Sequence, residues 1–198
     1  AFLLGVVLGN ILIGMPLGPD KEFTGNWLSF LNPYALMVGV TTLALFMLHG
    51  ALYLIMKTEG RLYAKLSILA KRAIIFFIVS FVIVTIFSLI YYPHLSDRFK
   101  SDPAWFIVPV IAFLAIANIP RLVSKKKYLQ SFLFSALTVS MLLIVVAIEL
   151  FPVMVRSTGS LENSLTIYNA SSSMKTLGIM LIIAAIGTPL AIGYTLFV

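Results

Sequence analysis

Residues 34–56 carry no charged side chain, and neither do residues 73–92, 104–120 and 176–197. Residues 130–153 carry one, Glu149. A bilayer core is about 30 Å thick, and a helix needs about 20 apolar residues to cross it. Membrane β-strands need only about ten, with alternating polarity. The runs here are too long and too uniform for strands, and a helix satisfies its own backbone groups in lipid. Charged residues are 11% of the chain and hydrophobic ones 61%, whereas soluble domains carry about a quarter charged. That balance excludes a soluble globular fold and excludes disorder. The sequence therefore predicts an all-α, polytopic transmembrane helix bundle, a single domain over residues 1–198. Five spans are complete. A sixth apolar run, residues 1–15, is short and lacks the basic start and cleavage pattern of a signal peptide. It reads as the end of a truncated helix, and the sequence as a fragment of a longer chain. Gly5 and Gly9 stand four apart in it, a spacing that lets helices approach closely.

Loop charge gives the expected orientation. Residues 57–72 hold Lys57, Arg61, Lys65, Lys71 and Arg72, and residues 121–127 hold Arg121, Lys125, Lys126 and Lys127. Those two segments contain nine of the 14 basic residues. The segments 16–33, 93–103 and 156–175 are near neutral. Basic and near-neutral segments alternate, as successive crossings require, so the basic loops and the C-terminus are expected on the cytoplasmic side. The net charge of +7 reflects this arrangement and not nucleic-acid binding. Leu62, Leu66 and Leu69 follow helical spacing, so the first basic loop is either a short interfacial helix or a solvated connection. The 20-residue segment 156–175 mixes Ser and Asn with Leu161, Leu165, Ile167 and Tyr168, which predicts an ordered docking element. Asn163, Thr166 and Asn169 are three apart and would share a face on a helical turn.

Chemistry-bearing residues are few. The cysteine count is zero, which removes disulfides and thiolate chemistry. The two histidines are His49, inside an apolar run, and His94, in a near-neutral loop. A single intramembrane His is expected to make a polar contact, within the chain or to another subunit, and not to hold haem iron. Glu149 is an intramembrane carboxylate. Such groups are functional candidates, but it lies about 26 Å along its helix from Phe132 at 1.5 Å per residue, near the far surface. An interfacial position is expected for it. Ser131, Ser135 and Thr138 form a small polar stripe suited to helix packing. Phosphate-binding loops, carboxylate pairs and Ser/His/Asp arrangements are absent from the sequence. No catalytic residue, haem ligand or metal ligand is expected on this chain. A transporter, a membrane scaffold and a noncatalytic subunit all remain compatible with these residues.

Several stretches then speak together. They are Gly9-Asn10, Gly14-Met15-Pro16, Thr24-Gly25-Asn26, Leu31-Asn32-Pro33-Tyr34, His49-Gly50-Ala51-Leu52-Tyr53-Leu54, Lys57-Thr58-Glu59-Gly60, Phe151-Pro152, residues 164–173 and Thr176-Leu177. Their order and spacing resembles subunit II of the cytochrome bd quinol oxidases, including the cyanide-insensitive members. The resemblance runs from Gly9 to Leu177. It implies a nine-helix subunit, of which this chain would hold the end of the fourth helix and the fifth to ninth. It implies a heterodimer with subunit I, which carries haems b and d and the quinol-oxidising loop, with a small accessory subunit as a further partner. The complex would oxidise quinol at the outer face of a prokaryotic plasma membrane and reduce dioxygen to water, with protons taken from the cytoplasm. Asn32, Pro33, His49, Gly60, Thr166 and Asn169 fall in the resembling stretches and are candidates for structural or subunit contacts. Two positions depart from the family pattern: Arg61, where an acid is frequent, and Glu149, where an apolar residue is common.

Overall fold

The computed structural model describes residues 1–197, apart from the side chain of Leu196. Seven α-helices follow in order: α1 Phe2–Ile13, α2 Pro33–Lys57, α3 Gly60–Tyr91, α4 Asp97–Ser101, α5 Ile107–Ser124, α6 Tyr128–Leu150 and α7 Met174–Phe197. A two-stranded antiparallel hairpin, β1 Val153–Val155 with β2 Leu165–Thr166, lies between α6 and α7. Five segments are long and apolar enough to cross a membrane: α2, α3, Pro103–Ser124, α6 and Met174–Thr195. The all-α polytopic bundle read from the sequence is thus the observed architecture.

Two helices extend beyond the apolar runs. The basic segment 57–72 is neither a loop nor a separate interfacial helix. α2 ends at Lys57, only Thr58 and Glu59 intervene, and α3 begins at Gly60. Nothing between Arg61 and Arg72 breaks a helix: Arg, Lys, Leu and Ala are all good helix formers. Buried Leu66, Ala70, Ala73, Ile74 and Phe77 form one continuous stripe at helical spacing. Charge interrupts the apolar run there without interrupting the helical period. Of the three leucines, only Leu66 faces the core; Leu62 and Leu69 are exposed. In the same way α5 continues through Pro120 to Ser124, and the second basic turn shrinks to Lys125–Lys127, with Lys126 at φ 56°. The final residue, Val198, lies outside the described residues, as does the position of the C-terminus expected from loop charge.

The helices define two ends. One carries the turn at Thr58–Glu59, flanked by Lys57 and Arg61, and the basic turn Lys125–Lys127. The other, the neutral end, gathers the segments 14–32, 92–106 and 151–173. The core lies nearer the basic end. Leu48, Leu52 and Ile55 of α2 pack there with Leu66, Ala70 and Phe77 of α3 and with Ile119 and Val123 of α5. Phe132 and Phe134 of α6 close over them. Ser131, Ser135 and Thr138 are fully buried, and each hydroxyl donates to a carbonyl of its own helix. Their small size lets α6 approach its neighbours. At the neutral end α1 packs on α2 through glycine. A Cβ on Gly5 would stand 2.7 Å from Gly39 Cα, and one on Gly9 2.7 Å from Ala35 Cα. Every described side chain of α7 is exposed.

Candidate functional site

The neutral end is held by polar bonds that begin at α2. Pro33 occupies the first helical position, where a missing N–H costs nothing. Asn32 caps the helix by accepting from the Ala35 N–H at 2.8 Å. Its Nδ2 donates to Asn10 Oδ1 at 2.8 Å and to the Ser29 carbonyl at 3.1 Å. Asn10, buried in α1, donates in turn to the carbonyls of Val6 and Phe30, both at 2.8 Å. The cap, α1 and the 3-10 turn Trp27–Leu31 thus form one hydrogen-bonded unit. Asn32 caps α2 and Pro33 opens it; Asn10, 22 residues away, is the partner that no sequence spacing announces. Tyr34 OH and Ser88 Oγ, 2.9 Å apart, tie α2 to the last turns of α3.

His49 lies two turns from the basic end of α2, against α6. Its Nδ1 is 2.8 Å from Ser135 Oγ, and its ring stacks on Phe132 with centroids 4.5 Å apart. Ser135 Oγ is also 2.7 Å from the Phe132 carbonyl, so the hydroxyl links the imidazole to the backbone of α6. One face of this imidazole is covered by Phe132, and the other histidine is beyond the far end of α3. The described residues contain no group of three or more His, Asp or Glu that could hold a metal ion. Gly60 opens α3 at φ 60°, a conformation that favours glycine; nothing crowds the position otherwise.

The segment after α6 docks on the segment after α1. Met15 N–H donates to the Arg156 carbonyl at 2.8 Å, and Thr158 N–H to the Met15 carbonyl at 3.0 Å. Ser157 Oγ and Asn163 Nδ2 both donate to the Leu17 carbonyl, at 3.3 and 3.1 Å. Gly14, at φ 92°, turns the chain into this contact, and a Cβ there would stand 2.8 Å from the Arg156 carbonyl. Thr166 and Asn169 act within the loop. Asn169 Oδ1 accepts from Thr166 N–H at 2.8 Å, Thr166 Oγ1 accepts from Asn169 N–H at 3.2 Å, and Asn169 Nδ2 donates to the Ser164 carbonyl at 3.0 Å. The three-residue spacing of Asn163, Thr166 and Asn169 does not lie on a helix: Asn163 ends a 3-10 turn, and Thr166 is in β2. Leu161 and Tyr168 are exposed, 65% and 75%, and do not pack inward as their apolar character suggests.

Glu149 lies in the last turn of α6, lining a cavity of about 290 Å³ with Leu12, His94, Leu95, Phe151, Arg156 and Ser164 among its walls. Its Oε2 is buried and has no hydrogen-bond partner among the described atoms, and neither has His94 Nε2. A simple snorkelling carboxylate would be solvated, so the expected interfacial position is only half the description. Burial pushes the His94 imidazole below its ordinary value, and the Arg156 cation adds to this. The Leu12 carbonyl and Asp97 oppose the shift. The cavity joins four chain segments, and no sequence spacing announces it.

A bundle of long apolar helices, with most of its buried polar side chains on caps, helix contacts and loop docking, defines a polytopic membrane protein. Its family is shown by comparison. Residues 1–198 match the family of cytochrome bd terminal oxidase subunit II, to which the chain belongs. It is 30% identical to "Probable cytochrome oxidase subunit 2" of Haemophilus influenzae, over 100% of this chain and 60% of that protein. It is 27% identical to cytochrome bd-I ubiquinol oxidase subunit 2 of Escherichia coli K12, over 98% of this chain and 59% of the relative. It is 28% identical to cytochrome bd ubiquinol oxidase subunit 2 of Bacillus subtilis, over 97% and 56%. The chain thus spans under two thirds of the length of these relatives.

Proposed function

We propose that this chain is the noncatalytic second subunit of a bd-type quinol:oxygen oxidoreductase. It supports a larger subunit I, which binds haems b and d and oxidises quinol. The complex reduces dioxygen to water in the respiratory chain of a prokaryotic plasma membrane, and a small accessory subunit completes it. The basic ends of the helices face the cytoplasm. The observation that carries this reading is the family match over the whole chain. The fate of the polar side chains supports the noncatalytic part. Thr41, Ser80, Ser131, Ser135 and Thr138, buried in the spans, each donate to a carbonyl of their own helix. A secondary transporter instead places broken helices and free polar groups at the midplane.

Purification through a tag on the full-length protein tests this. The expected result is a complex with a second, larger membrane subunit, haem absorption and quinol oxidation. Isolation of the chain without haem or quinol oxidation, from membranes where it drives solute uptake, would overturn it.

A further inference from the structure

Two unpartnered polar atoms meet in one cavity at the neutral end. Glu149 Oε2 and His94 Nε2 are both buried, and both residues line the same space of about 290 Å³. Leaving a buried acceptor or donor unsatisfied is costly, and two at one place call for a shared explanation. Arg156 and Ser164 line the cavity as well. Ser164 Oγ accepts from the Ser157 N–H at 3.0 Å, which leaves its own proton to donate. Arg156 and Glu149 stand close enough to act on each other electrostatically. Yet the ion pair found at or under 4.0 Å among the described residues is Lys100 with Asp97, at 3.8 Å, and not this one. A site needs two to four polar partners and about 30 Å³ of liquid volume to hold one water. This cavity offers four polar side chains and room for several waters.

We propose that the cavity is a water-binding, proton-exchanging site, in which water joins Glu149 Oε2 to His94 Nε2 and to the Arg156 guanidinium. The proton step is balanced without a co-reactant. The Nε2–H bond of the imidazolium breaks, the bridging water accepts that proton, and the water releases another to Oε2. The reverse step restores the pair. Asp97 and Arg98 of α4, Arg156 after β1 and the Leu12 carbonyl at the end of α1 are the charged and polar groups around the two. Because the walls come from α1, α6 and the segments 93–96 and 151–164, the water also bridges segments that make few direct side-chain bonds to one another. The site is built from this chain's own residues.

The test uses the assembled complex in membranes or detergent. Infrared spectra of wild type minus Glu149→Gln identify the Glu149 carboxyl band; Glu149→Asp makes the same assignment where Gln lowers assembly. In wild type the band exchanges with deuterium on transfer to heavy water and follows two coupled midpoints in a pH titration. In His94→Phe it follows a single midpoint, displaced by about one unit. His94→Gln, which keeps a hydrogen-bonding group, leaves the band position close to wild type. A band that resists deuterium, or that titrates once and identically in wild type and His94→Phe, means that the cavity is dry and the groups are independent, and the proposal falls.

Discussion

Asn32 serves three purposes with one amide. It caps α2, closes the turn behind it through Ser29 and holds Asn10 across the α1–α2 contact. Removing the side chain loses a cap of about 1 kcal/mol and strips a buried amide oxygen of its donor, at about 1–3 kcal/mol. Asn32→Ala therefore lowers the thermal midpoint of the detergent-solubilised protein clearly. Asn32→Asp keeps the cap acceptor but not the donor to Asn10, so it falls between. His94 gives a prediction in pH. Its folded value lies below the usual 6.5, so the unfolded chain binds more protons as pH falls through that range. The contribution of His94 to docking is fully present above about 6.5 and is lost on acidification through the lower folded value. Hydrogen exchange of residues 93–101 rises as pH is lowered, relative to segments at the basic end, and His94→Gln flattens that dependence. A response that is the same in both proteins would contradict it. The sequence marks Asn32 as a candidate and leaves His94 as a loop histidine without a role. It does not mark Asn10 as the partner, because a contact across 22 residues and two elements leaves no periodic trace.

At the scale of elements, periodicity outperformed hydropathy. The apolar runs locate all five long helices, yet charge marks a boundary at residues 57–72 and 121–127, into which the helices in fact continue. The stripe Leu66, Ala70, Ala73, Ile74 and Phe77 continues the helical period through that boundary, and it was visible in the sequence. The packing of α1 on α2 was legible in part: Gly5 and Gly9 are the close approach, whereas Gly39 on the facing helix drew no notice. Gly9→Leu puts a branched side chain where a Cβ alone meets Ala35 Cα at 2.7 Å. It is expected to separate the helices and reduce the yield of folded protein in the membrane, while Gly50→Ala, with open space around it, leaves the yield unchanged. The docking of the 156–173 segment was foreshadowed by composition, but not the surface it uses. Residues 15–17 receive it through backbone bonds, which any residue type can make. Replacing residues 165–173 by a Gly/Ser linker of equal length removes the Thr166–Asn169 turn and is expected to lower the amount of assembled complex. Normal assembly would show that the turn is only a tether.

For the whole molecule, the exposed apolar surface is the dominant feature. α7 buries none of its membrane-length window, and the lipid-length faces of α3 and α6 are largely open. Such a surface suits a subunit within a membrane complex better than a soluble or self-contained unit. A cysteine placed at the exposed Ser124 position as the single cysteine of the protein reacts with an impermeant reagent only after the membrane is opened; residues 1–198 contribute none of their own. Labelling from outside intact cells would reverse the topology. The central claim is that this chain's polar residues build and dock helices, while the haem ligands belong to the partner subunit. The most direct measurement is the reduced-minus-oxidised visible spectrum of the purified complex carrying His49→Ala and His94→Ala together, which removes both histidines of residues 1–198. The account predicts every haem signal of the wild-type complex at unchanged amount per assembled larger subunit. Loss of one haem signal, with the larger subunit still assembled, would contradict it.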